Sequence, residues 1–195
     1  MNVVFLGPPG SGKGTQAKLL AERLGVPAIS TGEMLRAAVL EGTSLGGKVK
    51  AVMESGDLVP DDLMIALIQE RLAGSDALDG FVLDGFPRTV DQALALERIL
   101  GGNEKGVRAV VNLVVPEAVL IDRLAGRSGL EHRSDDRGDT VLERLKIYHE
   151  KTEPLIDFYR RRDLLTEVDG LGTVPEITER LGNALRQARP ARGVA

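Results

Sequence analysis

Val3-Val4-Phe5-Leu6-Gly7-Pro8-Pro9-Gly10-Ser11-Gly12-Lys13-Gly14-Thr15 joins an apolar run directly to a glycine-rich turn. Four consecutive apolar residues predict a strand buried on both faces. A helix is expected from about Gly12 to Leu24, where Gly25 and Pro27 end it. A turn between a strand and a helix points a row of backbone N–H groups, together with a helix N-terminus, at one anion. Lys13 adds a mobile cation suited to the β- and γ-phosphates of a polyphosphate. The stretch matches G-x-x-x-x-G-K-[ST] except at Gly14, where a hydroxyl is expected to face magnesium; Thr15, one residue on, is placed to supply it. The plainer alternative is a glycine turn beside a surface lysine.

Outward from this junction, short apolar segments alternate with longer helical patterns, the signature of a parallel sheet covered on both faces. Strands are expected near Asn2 to Leu6, Pro27 to Ile29, Phe81 to Asp84, Ala109 to Val115 and Leu164 to Val168. Helical spacing is read over Ser44 to Ser55, Asp61 to Leu72 and Thr89 to about Leu100. One long helix is expected from Gly138 to about Arg162, kinked by Pro154. Between Thr31 and Val59 only helices punctuated by glycines are found, a helical insertion hinged on the core. A much shorter insertion lies between Arg127 and Asp136, and no internal repeat is present.

Composition narrows the function classes. A length of 195 residues with 43% hydrophobic residues suits one α/β domain with insertions. The net charge of −4 does not suggest a nucleic-acid surface or an anionic membrane, and no apolar run reaches bilayer length. With a core strand beginning at Asn2 there is no room for a signal sequence, so a cytoplasmic protein is expected. Zero cysteines exclude disulfides and thiolate zinc sites, and His132 and His149 alone cannot complete a zinc site. His132 is read as solvent-facing, and Met34, Met53 and Met64 as packing residues.

In doubly wound sheets the ligand lies beyond the carboxyl ends of the strands. In Leu83-Asp84-Gly85-Phe86-Pro87-Arg88, where the third strand ends, Asp84 either orients magnesium-bound water or is a helix cap or turn residue. Arg88 emerges at the same edge with a fork suited to two phosphate oxygens. Arg123 and Arg127 share a helical face, with Arg133 and Arg144 beyond them. Such an array suits the approach of two polyphosphates, whose repulsion must be offset by distributed positive charge. Arg160, Arg161 and Arg162 are read instead as a solvated run at a helix end.

Six motifs stand in the order seen in adenylate kinases, which the chain resembles over almost its whole length. They are Gly7 to Gln16, Ser30-Thr31-Gly32-Glu33-Met34-Leu35-Arg36, Gly56-Asp57-Leu58-Val59-Pro60-Asp61, Gly80 to Thr89, Asp122 to Arg127 and Arg133-Ser134-Asp135-Asp136. The resemblance implies a P-loop NTPase-type doubly wound parallel five-stranded sheet, with a monophosphate-binding insertion over 30–59 and a short lid over 127–137. It implies a single kinase domain, monomeric, that converts ATP and AMP into two ADP with magnesium and without zinc. The Gly14-Thr15 departure belongs to the family's own pattern. Carried over, Gly10, Ser11, Gly12, Lys13, Gly14 and Thr15 hold ATP phosphates, Arg123 and Arg127 face ATP, and the Gly172 carbonyl lies near its adenine. Thr31, Arg36, Asp57, Leu58, Val59, Gly85, Phe86, Pro87, Arg88 and Gln92 form the AMP site. Arg133 and Arg144 reach the AMP phosphate and the transferred group. Lys13, Arg88, Arg123, Arg133, Arg144 and Asp84 carry the catalysis, Asp84 through water rather than by direct ligation. Asp135 and Asp136 engage arginines as the lid shuts, or Asp136 caps the next helix.

Base selectivity stays open at the level of Gln92, whose carboxamide suits adenine N1 and N6, suits cytosine N3 and N4 equally, and suits uracil after an amide flip. In the family, threonine at the position of Thr31 accompanies AMP use, although Thr31 is also placed to cap a helix. The alternatives are a UMP/CMP kinase and, from another class, a nucleotide-binding regulatory protein of the phosphate-loop type.

Overall fold

The computed structural model describes residues 1–101, 106–131 and 138–187, without the side chains of 127–131 and 138–139. The elements run β1 (Asn2–Leu6), α1 (Lys13–Leu24), β2 (Ala28–Ser30), α2 (Thr31–Leu40), α3 (Ser44–Ser55), α4 (Asp61–Leu72), β3 (Phe81–Asp84) and α5 (Val90–Ile99). They continue with β4 (Ala109–Val114), α6 (Glu117–Glu131), α7 (Gly138–Ile147), a π-helical segment (Tyr148–Thr152), α8 (Pro154–Arg160), β5 (Leu165–Asp169) and α9 (Val174–Gln187). The five strands form one parallel sheet in the order β2-β3-β1-β4-β5, so the strand that feeds the glycine turn is central. This is the doubly wound α/β architecture expected from the alternation of segments.

Period-two geometry explains how one apolar run serves two cores. Val3 and Phe5 of β1 pack with Val82, Val111 and Leu113 against Ala17 and Leu20 of α1 and Ile177 and Leu181 of α9. Val4 and Leu6 face the other way, with Leu83 and Val110, onto Ile68, Leu96, Leu155 and Tyr159. These four of the five β1 side chains are at most 2% exposed. Each such burial contributes roughly 1.5–3 kcal/mol. A third, smaller cluster of Leu120, Leu124, Val141 and Leu145 joins α6 to α7. Met64 is buried in the core, and Met34 and Met53 pack against it, as expected.

Two expectations are corrected. The single long helix from Gly138 to Arg162 is broken into α7, the π segment and α8. Pro154 heads α8, where its missing N–H costs nothing. In an unbroken helix its ring would collide with the carbonyl four residues back, and the chain widens there instead, with Glu153 N–H donating to Tyr148 O at 2.9 Å. The run Arg160 to Arg162 is also more than solvated charge. Arg162 donates to Glu97 at 2.9 Å and lies 3.6 Å over the Phe158 ring, and Arg160 pairs with Asp157 and Glu167.

The 30–59 stretch contains α2 and α3. Gly46 lets these helices meet backbone to backbone, because a Cβ there would come within 2.0 Å of Ala38 O. Of the expected lid over 127–137, α6 and its backbone reach Glu131, while Arg133, Asp135, Asp136 and His132 lie outside the described residues. No helix among the described residues is long and apolar enough to cross a membrane.

Candidate active site

The parallel register sets the strand ends level. Phe5 pairs with Asp84 and Asp84 with Ser30, so the chain leaves β1, β2 and β3 at one rim. Beyond β1 the glycine turn closes on itself: Ser11 N–H donates to Pro8 O at 3.2 Å, and Lys13 Nζ donates to the same carbonyl at 2.8 Å. Gly10 sits at φ +83, and a Cβ there would come within 3.1 Å of Leu120 O and 3.0 Å of Leu124 Cγ. Gly12 at φ +94 heads α1 in a left-handed conformation that side chains disfavour. The helix N-terminus therefore faces the cleft with Gly12, Lys13, Gly14 and Thr15 on its wall. Ser11 is fully buried and supports the turn from beneath.

Asp84 ends β3 and is not a helix cap. Its Oδ2 accepts from Ser30 Oγ at 3.3 Å and lies 3.3 Å from where a Cβ at Gly14 would stand. This sets a carboxylate directly across from the glycine turn, with the Thr15 hydroxyl on the same cleft. The oxygen donors suit a hard divalent cation held mainly through water and nucleotide oxygens.

Arg88 is held on three sides. Its Nε donates to Gly85 O at 2.9 Å, its backbone N–H donates to Gln92 Oε1 at 2.7 Å, and its carbonyl accepts from Thr152 Oγ1 at 3.0 Å. Arg123 Nη2 donates to Gly170 O at 3.0 Å, which ties α6 to the loop after β5. The cleft of about 560 Å³ thus collects Lys13, Arg36, Arg88, Arg123 and Arg144. A second, smaller pocket opens beside it between α2, α3 and the β3–α5 turn. Its walls include Thr31, Asp57, Leu58, Val59, Gly85 and Gln92. Arg36, Arg88 and Arg144 line both pockets and so stand at their junction.

Several expected site residues sit differently from the sequence reading. Thr31 is the first residue of α2 rather than its cap, and its buried hydroxyl donates to Gly85 O at 2.9 Å. Gln92 is 2% exposed, and its Nε2 donates to Asp61 Oδ1 at 2.7 Å. The Phe86 side chain is fully buried in the core, which leaves only its backbone for the pocket. Pro87, after a cis peptide bond, lines the main cleft. Gly172, at φ +108, lies in the β5–α9 turn outside the lining of either pocket. Arg127 has its backbone in α6, with its side chain outside the described residues.

The sequence reading missed Tyr148 and Thr152, which line the cleft from the π segment. Tyr148 follows Arg144 by about one helical turn and Thr152 follows Tyr148 by another, so both continue the face of α7 that brings Arg144 to the cleft. The Tyr148 hydroxyl is pushed well above the ordinary phenol range by burial, then by Glu153 and Glu167, so it stays protonated. Lys18 of α1 and Glu33 of α2 also pair at 2.7 Å along the same cleft.

Comparison with known proteins agrees with this geometry. The family model described as adenylate kinase matches residues 5–164. The chain is 51% identical to an adenylate kinase of Leptospira biflexa over 176 residues, 90% of this chain and 95% of that protein. It is 47% identical to one of Thermobifida fusca over 186 residues, 95% of this chain and 98% of that protein. To one of Xylella fastidiosa it is 48% identical over 185 residues, 95% of this chain and 99% of the relative. With a phosphate turn and a second pocket sharing three arginines, and with likeness of this extent, the chain belongs to the adenylate kinase family.

Proposed function

We propose that the enzyme transfers the terminal phosphoryl group of ATP to AMP, reversibly, giving two ADP. The observation that carries this reading is the junction of two pockets lined by the same guanidinium groups, Arg36, Arg88 and Arg144. Two nucleotides brought end to end repel each other strongly, and fixed cations between them stabilise the charge that develops during transfer.

In this reading Gly10 to Thr15 cradle the ATP phosphates, with Lys13 on the β- and γ-phosphates. Arg123 and Arg127 hold ATP, and the Gly172 carbonyl meets its adenine edge. Thr31, Arg36, Asp57 to Val59, Gly85 to Arg88 and Gln92 receive AMP, and Arg144 and Arg133 meet its phosphate and the group in flight. An oxygen of the AMP phosphate attacks the γ-phosphorus in line, the bond to the β,γ-bridging oxygen breaks, and no covalent enzyme intermediate forms. Asp84, through water, and the Thr15 hydroxyl would hold magnesium beside the ATP phosphates, where the ion would neutralise phosphate charge. Water competes as a nucleophile, so closure of the 30–59 insertion and the 127–137 lid over both nucleotides protects the transfer. The reading extends to a monomeric, cytoplasmic enzyme whose partners are ATP, AMP and ADP.

The deciding experiment measures ADP formation from ATP with AMP, CMP, UMP and GMP as acceptors. AMP is expected to be preferred by a wide margin. A preference for CMP or UMP would move the chain to the pyrimidine kinases, and slow hydrolysis with no acceptor dependence would make it a nucleotide-binding regulator.

A further inference from the structure

We infer that Asp61 is a positioning residue that sets the polarity of the Gln92 carboxamide, so that the pocket takes a base edge bearing an amino group and rejects one bearing a keto group. The inference rests on the reading of Gln92 as the residue that meets the acceptor base. Asp61 is the first residue of α4, and Gln92 lies in the first turn of α5. The carboxylate of Asp61 spans both helix starts: Oδ1 accepts from Gln92 Nε2 at 2.7 Å, and Oδ2 accepts from Thr89 Oγ1 at 2.6 Å. At the other end of the amide, Gln92 Oε1 accepts from the Arg88 backbone N–H at 2.7 Å.

These partners are not interchangeable. A backbone N–H can only donate and a carboxylate can only accept, so one amide orientation satisfies both. Turning the amide over would set NH₂ against the Arg88 N–H and oxygen against the Asp61 carboxylate. It would lose two hydrogen bonds, one of them charge-assisted, in a place where Gln92 is only 2% exposed. An amide nitrogen carries two donors and its oxygen two lone pairs, so each end keeps one free valence for a ligand. The free acceptor then lies on the Arg88 side and the free donor on the Asp61 side. Adenine offers a matching amino donor and ring-nitrogen acceptor, whereas hypoxanthine offers the reverse pair, a keto acceptor and a ring N–H. The sequence left this choice open, because a freely rotating glutamine accepts both edges. Cytosine passes the same polarity test, and pocket dimensions must sort it from adenine.

AMP and IMP form the cleanest probe pair, since they differ only at this edge. The ratio of kcat/KM for AMP over IMP, with ATP as donor, is compared among the wild type, Asp61→Asn, Thr89→Val and Gln92→Ala. Asn accepts or donates, so Asp61→Asn is expected to lower the ratio about three- to tenfold, part of what a bidentate base contact supplies. The change should enter through a higher KM for AMP with the KM for ATP unmoved. Thr89→Val removes the other bond to Asp61 together with the cap that Thr89 Oγ1 gives the Gln92 backbone N–H at 3.2 Å, which loosens the start of α5 without reversing the amide, and it should leave the ratio where it was. If Asp61→Asn slows AMP and IMP equally, or if Thr89→Val shifts the ratio as much, Asp61 is only a tie between helices and the inference is overturned. Gln92→Ala separates the two layers. An unchanged ratio there overturns the base contact and the polarity lock together, and a collapsed ratio beside an unaffected Asp61→Asn overturns the lock alone. Should Asp61→Asn not fold, the wild-type protein decides by NMR. One Gln92 side-chain amide proton shifted downfield by the Asp61 carboxylate and slow to exchange with solvent is expected, and a pair with the shifts and exchange rate of a solvated glutamine overturns the lock.

Discussion

At the scale of single residues the decisive feature is how tightly the cations are held. Arg88 makes contacts through its side chain, its N–H and its carbonyl, to Gly85, Gln92 and Thr152 respectively. A guanidinium positioned in advance stabilises transferring phosphoryl charge without reorganising when the reaction occurs. Lys13 is anchored near the Pro8 carbonyl on the opposite wall of the same cleft. Lys13→Ala and Arg88→Ala are each expected to lower turnover by about 10²-fold or more, with circular dichroism and thermal midpoint close to the parent. A steady-state assay of ADP formation on the folded variants checks this, and near-parental rates in either would remove the residue from the transfer step. Both residues were legible in the sequence, because glycine-rich turns and post-strand arginines have fixed positions relative to a parallel sheet. Thr152 was not. Its hydroxyl donates to Arg88 O, 64 residues away in the chain, a contact that no local pattern records.

At the scale of elements, α2 and α3 form the wall that closes the second pocket, and their separation is set by one hydrogen atom. Gly46 is buried with Ala38 O at 2.0 Å from its would-be Cβ, whereas the next residue, Gly47, faces open space in the same helix. Gly46→Ala is expected to destabilise the protein by about 1–3 kcal/mol through overpacking against backbone. Gly47→Ala is expected to stabilise it by about 0.5–1 kcal/mol through helix propensity alone. Denaturant unfolding of the two variants checks the opposite signs, and equal shifts would show that the close helix approach is not maintained in solution. From the residue pattern these two glycines look alike. Helix boundaries themselves were read closely, with α3 and α4 at the expected residues and β2, β4 and β5 within one residue, because capping glycines and prolines mark chain ends locally.

Across the whole molecule, the glycine turn after β1, the end of β3, the 30–59 stretch and the α6 and α7 arginines meet at one cleft, so a ligand that spans both pockets ties several elements together at once. A mimic joining two adenosines through five phosphoryl units, at about a hundred times its dissociation constant, is expected to add about 2.7 kcal/mol of stability. For a chain of this size that corresponds to a rise of about 5–10 °C in Tm. Scanning calorimetry with and without the mimic checks it, and the rise should shrink in Lys13→Ala. No rise would count against the bridging of the two pockets. The sequence alone determined the alternation of strands and helices, the phosphate turn and the places of Arg36, Arg88, Arg123 and Arg144 along the chain, since each depends on contacts within a few residues of the chain. Tertiary structure decided what those residues do with their remaining valences. Thr31 spends its hydroxyl on Gly85, Phe86 turns into the core, and Gln92 is clamped between Arg88 and Asp61. A hydrogen-bonding side chain has more than one way to be satisfied, and only the neighbours that folding brings from distant parts of the chain choose among them.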